Sequence, residues 1–149
     1  MLNFKINNKM VNKSLIKNHI TVSGKRKTAV AKATIRPGIG KITINKIPYE
    51  NLQTFHKLLI KEPIDIVKEI IGDIKFDINV NVKGGGQEAQ KEASRLAIAK
   101  AFVKATNSED LRKAFLNYDK NMLIADVRRK EPNKPGDSKA RARRQSSKR

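Results

Sequence analysis

The chain has 149 residues, enough for one domain with tails, and it contains neither cysteine nor tryptophan. The absence of cysteine excludes a disulfide framework, a thiolate metal site and a thiol nucleophile, and it indicates a reducing, intracellular compartment. Thirty-three Lys and Arg residues against 14 Asp and Glu residues give a net charge of +19. Because like charges repel, an excess of this size indicates a polyanionic partner.

The charge is concentrated at the two ends of the chain. Residues 1–49 carry +11, residues 50–125 carry +1 and residues 126–149 carry +7. Nucleic acid fits basic ends around a nearly neutral middle. An anionic membrane is the rival partner, but the ends lack the apolar face that anchors a helix in lipid, and no stretch resembles a secretory signal or a membrane span. The sequence therefore predicts a soluble, cytoplasmic protein without a membrane partner.

Residues 1–18 are rich in Asn and Lys and show no apolar period, so we predict a flexible basic extension there. Translation could also begin at Met10. Residues 19–125 are expected to form one globular domain. Its first part alternates like strands, with a strand from Ile20, a basic turn at 23–27, a second strand ending before Pro37 and a third at 41–47.

The middle of the chain changes to helical spacing. Residues 49–60 and 63–71 both show helical spacing and count as one helical element, in which Pro63 suits a first helical turn and Gly72 suits the position just past the end. Residues 73–83 then alternate strictly between polar and apolar, which predicts a strand with one dry face.

A long helix is expected from the glycines at 84–86 to about Thr106, and Asn107 or Ser108 is expected to cap a last helix. One stripe of the long helix carries small residues, which would let it approach a sheet closely: Ala89, Ala93 and Ala97. The predicted order is three strands, a helix, a strand and two helices. This order indicates an α+β fold in two layers, a sheet and its helices.

The apolar period disappears from Asp126 onward, so residues 126–149 are predicted to be an extended basic tail that is disordered on its own. Its Arg and Lys side chains are suited to phosphates, and the lack of interleaved aromatics favours recognition of RNA backbone and shape over base stacking. The tail residues predicted to bind RNA are Arg128, Arg129, Lys134, Lys139, Arg141, Arg143 and Arg144.

Catalytic and metal-binding patterns are missing from the sequence. His19 and His56 stand in no ligand or nucleophile spacing and are interpreted as surface or boundary residues, so no catalytic residue, metal or cofactor is predicted. The run Gly84, Gly85 and Gly86 before a helix could offer backbone N–H groups to a phosphate, but the full nucleotide-loop spacing is absent. Nucleotide binding, a tight turn without a ligand and an RNA phosphate contact all remain open for this loop.

The turn carrying Lys25, Arg26 and Lys27 places three cations close together. A surface turn needs no function, but the clustered charge favours an RNA phosphate contact.

Three ordered blocks resemble the small-subunit ribosomal protein nine family. The first is Gly24 to Ala31, the second runs from Gly84 through Gln90 to Phe102, and the third runs from Arg128 through Gly136 to Arg143. The Glu131-Pro132 pair resembles the archaeal and eukaryotic branch. The resemblance covers about residue 20 to the end.

The resemblance implies a fold like the second domain of ribosomal protein five, with a left-handed crossover. It also implies binding to small-subunit rRNA in the head, contact with neighbouring head proteins, and a tail whose Lys148 and Arg149 reach transfer RNA in the peptidyl site. No enzymatic activity and no small-molecule substrate are implied. A free chromosomal or RNA-chaperone protein and a small phosphotransferase are the alternatives from other classes.

Overall fold

The structure is a computed structural model that describes residues 19–136 and 139–141. It contains a five-stranded sheet, three helices and two short 3-10 turns, which confirms the predicted α+β class. The strands are β1 (Ile20–Arg26), β2 (Ala29–Pro37), β3 (Ile42–Ile44), β4 (Ile47–Pro48) and β5 (Phe76–Lys83), and the helices are α1 (Thr54–Ile71), α2 (Gln87–Thr106) and α3 (Glu109–Tyr118). The 3-10 turns are Tyr49–Asn51 and Lys120–Met122.

The strands lie in the order β1-β2-β5-β3-β4. All neighbouring pairs are antiparallel except β3 and β5, which run parallel and are therefore joined by a crossover through α1. Alternation along β2 and β5 puts one face of the sheet into the core, where Ala31, Ile35, Ile78 and Val80 are fully or almost fully buried. The opposite face carries the polar residues of the same strands.

Helix α2 packs directly on the sheet because small residues face each other there. A Cβ added to Gly24 of β1 would lie 2.8 Å from the backbone nitrogen of Ala97, which leaves no room for any side chain at position 24. Ala93 and Ala97 of α2 are completely buried, as the predicted small-residue stripe requires. On its other side α2 buries Phe102 in the core that the helices share.

The first hairpin differs from the prediction of a basic turn at 23–27. β1 continues to Arg26, and the chain reverses at Lys27 and Thr28, where Lys27 adopts a φ of 51°. A two-residue reversal of this kind matches the twist of the paired strands, so the ladder extends further than the clustered polar residues suggested.

The predicted third strand at 41–47 is two strands with a reversal between them. Asn45 and Lys46 have φ values of 50° and 70°, which form the tight turn between β3 and β4. The Asn45 side chain accepts a 2.8 Å bond from the Val82 N–H and so extends the pairing with β5.

The helical segments predicted at 49–60 and 63–71 are joined in one helix, α1, as in the predicted order, but the prediction that Pro63 lies in a first turn is wrong. Pro63 lies in the helix interior, buried in the core, although proline there removes a backbone hydrogen bond. Burial of the apolar face on either side of Pro63 keeps the helix intact. Gly72 does follow the last turn, with its N–H bonded to the Lys68 carbonyl at 3.0 Å.

The predicted start of the last helix agrees with the structure. The Ser108 hydroxyl accepts from the Leu111 N–H at the start of α3, which confirms one of the two predicted caps.

Within residues 19–136 and 139–141, none of the helices has the length and apolar character needed to cross a bilayer.

Candidate nucleic-acid interface

The hairpin end of β1 and β2 separates the cations that stand side by side in the sequence. Gly24 pairs with Ala31 and faces α2, so the next residue, Lys25, points to the opposite face of the sheet and is exposed. Arg26 returns to the helix side, and Lys27 occupies the turn itself. The three cations therefore point in different directions.

The Arg26 guanidinium is already occupied by carboxylates of this chain. It donates to Glu92 on α2 and to Asp126 at the start of the tail. Asp126 also accepts from the backbone N–H of Arg128 at 2.8 Å and from its guanidinium at 2.7 and 2.8 Å. These bonds from Arg128 and Arg26 hold the pKa of the Asp126 carboxyl well below its usual range.

The tail therefore begins against the hairpin. The Asp126 side chain is only 12% exposed, and Arg129 Nη1 donates to the Lys27 carbonyl oxygen at 2.8 Å. No local sequence pattern predicts this contact, because Arg26 and Asp126 are 100 residues apart.

The glycine loop between β5 and α2 packs against the same hairpin turn. Gly84 and Gly85 have φ values of 74° and 69°, and a Cβ on Gly84 would lie 2.7 Å from the Thr28 carbonyl oxygen. Both observations require glycine there, whether or not a ligand binds. Gly86 lies in open space at the N-terminus of α2, and Gln90 closes the loop with a 3.1 Å bond from Nε2 to the Gly84 carbonyl.

Three blocks that are far apart in the sequence thus meet at one edge of the fold. They are the hairpin turn, the glycine loop and residues 126–129, and we call this edge the cationic edge. Among the residues that the structure describes, Lys25, Lys27 and Arg129 form no ion pair there.

Lys83 is a further cation at this edge that the sequence analysis did not select. In register, Lys25 of β1 is opposite Val30 of β2, and Val30 is opposite Lys83 of β5. At about 4.8 Å between strands, the two lysine Cα atoms stand about 10 Å apart on the same face. The alternation along β5 placed Lys83 on the polar face of the strand, but only the strand order shows that it lies near Lys25.

The predicted RNA-binding residues further along the tail are exposed where the structure describes them. Lys134 and Lys139 are exposed, and Arg141 donates to Glu131 at 2.9 Å, which lowers the pKa of the Glu131 carboxyl. The other predicted tail residues lie outside the described residues: Arg143, Arg144, Lys148 and Arg149.

His19 is exposed as predicted, but the interpretation of His56 as a surface or boundary residue is wrong. His56 is 5% exposed, and its Nε2 lies 2.8 Å from Glu88 Oε1, so it joins α1 to the first turn of α2. Within the described part of the chain, no three His, Cys, Asp or Glu residues come close enough to hold a metal ion.

The part of the chain that is similar to known proteins includes the cationic edge and the tail. Residues 24–149 match the family described as Ribosomal protein S9/S16. The chain is similar to small ribosomal subunit protein uS9 of Methanococcus vannielii, with 46% identity over 127 residues that cover 83% of this chain and 93% of the relative. It is 44% identical over 129 residues to the uS9 protein of Desulfurococcus amylolyticus, covering 86% of this chain and 91% of the relative.

Proposed function

This chain belongs to the ribosomal protein S9/S16 family, and on that premise we propose that it binds small-subunit rRNA in the head and reaches transfer RNA in the peptidyl site with its tail. As a member of the family it is a structural component of the small ribosomal subunit and not an enzyme. It works in the cytoplasm, where small subunits are. The phosphotransferase alternative is thereby set aside.

The observation that carries the rRNA proposal is the cationic edge. Lys25, Lys27 and Arg129 present charge that no described carboxylate neutralises, beside the N-terminal end of α2 at Gly86. A helix N-terminus and neighbouring cations both attract phosphate. The edge therefore suits an rRNA backbone segment that touches the hairpin, the glycine loop and the start of the tail together.

Arg26 takes a different role in this proposal. Its donors already serve Glu92 and Asp126, so it positions the tail, and Lys25 and Lys27 on either side of it contact phosphate. Gly84 and Gly85 act in the same indirect way, because their backbone geometry brings the loop onto the hairpin.

Beyond the edge, we assign the tail cations to rRNA by the same charge argument: Arg128, Lys134, Lys139, Arg141, Arg143 and Arg144. By family resemblance, Lys148 and Arg149 contact the anticodon stem-loop of transfer RNA, and other head proteins adjoin the domain. Residues 1–18 are proposed to be a separate extension, 19–125 the rRNA-binding domain and 126–149 the tail.

The connection from β3 through α1 to β5 supports the finer fold proposal. It joins two parallel strands of one sheet, and we propose that it is the left-handed crossover of the second domain of ribosomal protein five. Such a hand is rare, since nearly all crossovers of this type are right-handed.

Deletion of Lys148 and Arg149 tests the tail assignment. We expect purified small subunits carrying the truncated protein to bind transfer RNA roughly five- to tenfold more weakly per lost contact, since a solvated phosphate contact contributes about 1 kcal/mol. The loss should be the same for all transfer RNAs, because phosphates carry no base identity.

The matched control replaces Lys134 and Lys139 with glutamine, which removes the same charge nearer the domain. That variant should retain normal transfer RNA affinity. Unchanged affinity after the tip deletion would contradict the assignment, and failure of the truncated protein to enter subunits would assign the tip to assembly instead.

A further inference from the structure

The face of the sheet that points away from the helices is a second charged surface. We call it the open sheet face, and its cations are Lys25, Lys32, Arg36, Lys41 and Lys83. All five residues are exposed, whereas the alternate residues of β2 from Ala29 to Ile35 and of β5 from Ile78 to Val82 are buried in the core that the sheet shares with the helices. No described segment of the chain packs on this face.

The five cations lack neutralising partners within residues 19–136 and 139–141, where none of them forms an ion pair. Within the paired strands that the structure describes, the only carboxylate on this face belongs to Asp77, which is opposite Arg36 in the register but forms no ion pair with it. Its Oδ1 is occupied by the backbone N–H groups of Ile39, Gly40 and Lys41, at 3.0, 3.1 and 2.8 Å. By contrast, two arginines on the helix side, Arg26 and Arg95, each form ion pairs with two carboxylates.

Four of the five cations lie at the two ends of the face, and Lys32 lies between them among neutral polar groups. Lys25 and Lys83 occupy the row of Val30, while Arg36 stands six residues further along β2, about 20 Å away at 3.4 Å per residue. Arg36 and Lys41 line one hollow at that end. Between the ends, Thr34 is opposite Asn79, and Lys32 is opposite Ser23 and Asn81.

This arrangement complements double-stranded RNA. The A-form minor groove is wide and shallow, exposes ribose 2′-hydroxyls along its floor and has a phosphate strand on each side. Hydroxyl and amide groups in the middle of a flat face can bond the 2′-hydroxyls, while cations at both ends meet the two phosphate strands. The face has no aromatic side chain among its exposed residues, so it offers no platform for unpaired bases.

We propose that the open sheet face binds the minor groove of an rRNA duplex. The proposal rests on the proposed function, since it assumes that the chain lies in the small subunit. It adds a second RNA contact, on a surface that meets the cationic edge at Lys25 and Lys83 and extends from there across the sheet.

The absence of native cysteine allows a direct test by tethered cleavage. Ser23→Cys lies opposite Lys32 on the open sheet face and leaves every cation in place. With an iron chelate attached to it in reconstituted small subunits, hydroxyl radicals should cut rRNA on both strands of one helix, in the offset pattern of a minor groove. Asn117→Cys, exposed on α3, is the matched control and should not give that paired pattern.

The outcomes separate the two proposals. If labelled Ser23→Cys protein enters subunits but cuts no rRNA, or cuts only single-stranded segments, the open-face proposal is wrong while the proposed function stands. If even the unmodified protein fails to enter subunits, the proposed function fails.

If only the labelled Ser23→Cys protein fails to enter subunits, the label blocks assembly because the open sheet face is covered there. A second measurement then tests whether duplex RNA is what covers it. The full chain is then titrated with a 16-base-pair RNA duplex at several salt concentrations. Replacing Lys32 and Lys41, which lie outside the cationic edge, with alanine should lower the magnitude of the salt slope by about two relative to wild type. The control pair Lys104→Ala and Lys113→Ala should leave the slope unchanged, and equal slopes for all three proteins would overturn the proposal.

Discussion

Gly24 offers a sharp test of how closely α2 lies on the sheet. In the Gly24→Ala variant the new Cβ would lie 2.8 Å from the Ala97 backbone nitrogen and closer still to the Ala93 carbonyl oxygen. Heavy atoms pack at about 3.5 Å, so the helix or the strand must move by roughly 1 Å. Because the atoms in the way are backbone, rotamer changes cannot relieve the clash.

The cost should fall at the upper end of the range for overpacked cores, about 3 kcal/mol of unfolding free energy. With an unfolding entropy of about 2.1 cal/mol/K per residue over roughly 120 folded residues, this loss corresponds to about 12 °C in Tm. Thermal unfolding followed by circular dichroism measures it.

Gly86→Ala is the matched control. Gly86 has a φ of −87° and nothing within 4 Å of an added Cβ, so alanine there should cost less than about 1 kcal/mol. A Tm for Gly24→Ala within about 3 °C of wild type would refute the close approach of α2 to β1. An equally large loss in Gly86→Ala would show that the cost comes from losing glycine and not from the contact.

Three further predictions follow from the core, the tail contact and the charge. Phe102→Ala, at a fully buried position, should lower the unfolding free energy by about 3–5 kcal/mol in urea titration, and a loss below 1 kcal/mol would contradict its place in the core. Asp126→Asn should speed amide exchange at Arg128, whereas the exposed control Glu131→Gln should not affect that amide. Because bonds from Arg128 and Arg26 depress the folded pKa of Asp126, the stabilisation from the wild-type contact should be complete above the unfolded pKa of about 4, decline as pH falls below it and vanish only as pH falls through the lower folded pKa. Protection of the Arg128 amide, relative to its intrinsic exchange rate, that is already lost at about pH 4 would argue against the contact. For small-subunit rRNA, neutralisation of about eight phosphates predicts a slope of log affinity against log salt of about −6 to −7, and a slope near zero would exclude the basic segments as the binding surface.

The sequence by itself determined much of the element pattern, because local rules govern those elements. Strict alternation located the core face of β5, the Ser108 hydroxyl marked the start of α3, and the small residues of α2 indicated a helix lying close to a sheet. The three ordered blocks of residues identified the family, which the comparisons confirm.

Local rules failed where burial outweighs propensity. Pro63 marks a helix start in an isolated segment, yet here it lies inside α1, since the buried residues around it stabilise a continuous helix. His56 stands in no recognisable sequence pattern, and its role depends on Glu88, a residue 32 positions away on another helix.

The candidate interface was predicted as a set of cations, and only the tertiary structure divided their roles. Strand pairing turns Lys25 outward and Arg26 toward the helices, where Asp126 and Glu92 occupy its guanidinium. The order of strands sets Lys83 beside Lys25. Charge can be counted along a chain, but the direction of each side chain depends on residues that folding brings together from distant positions.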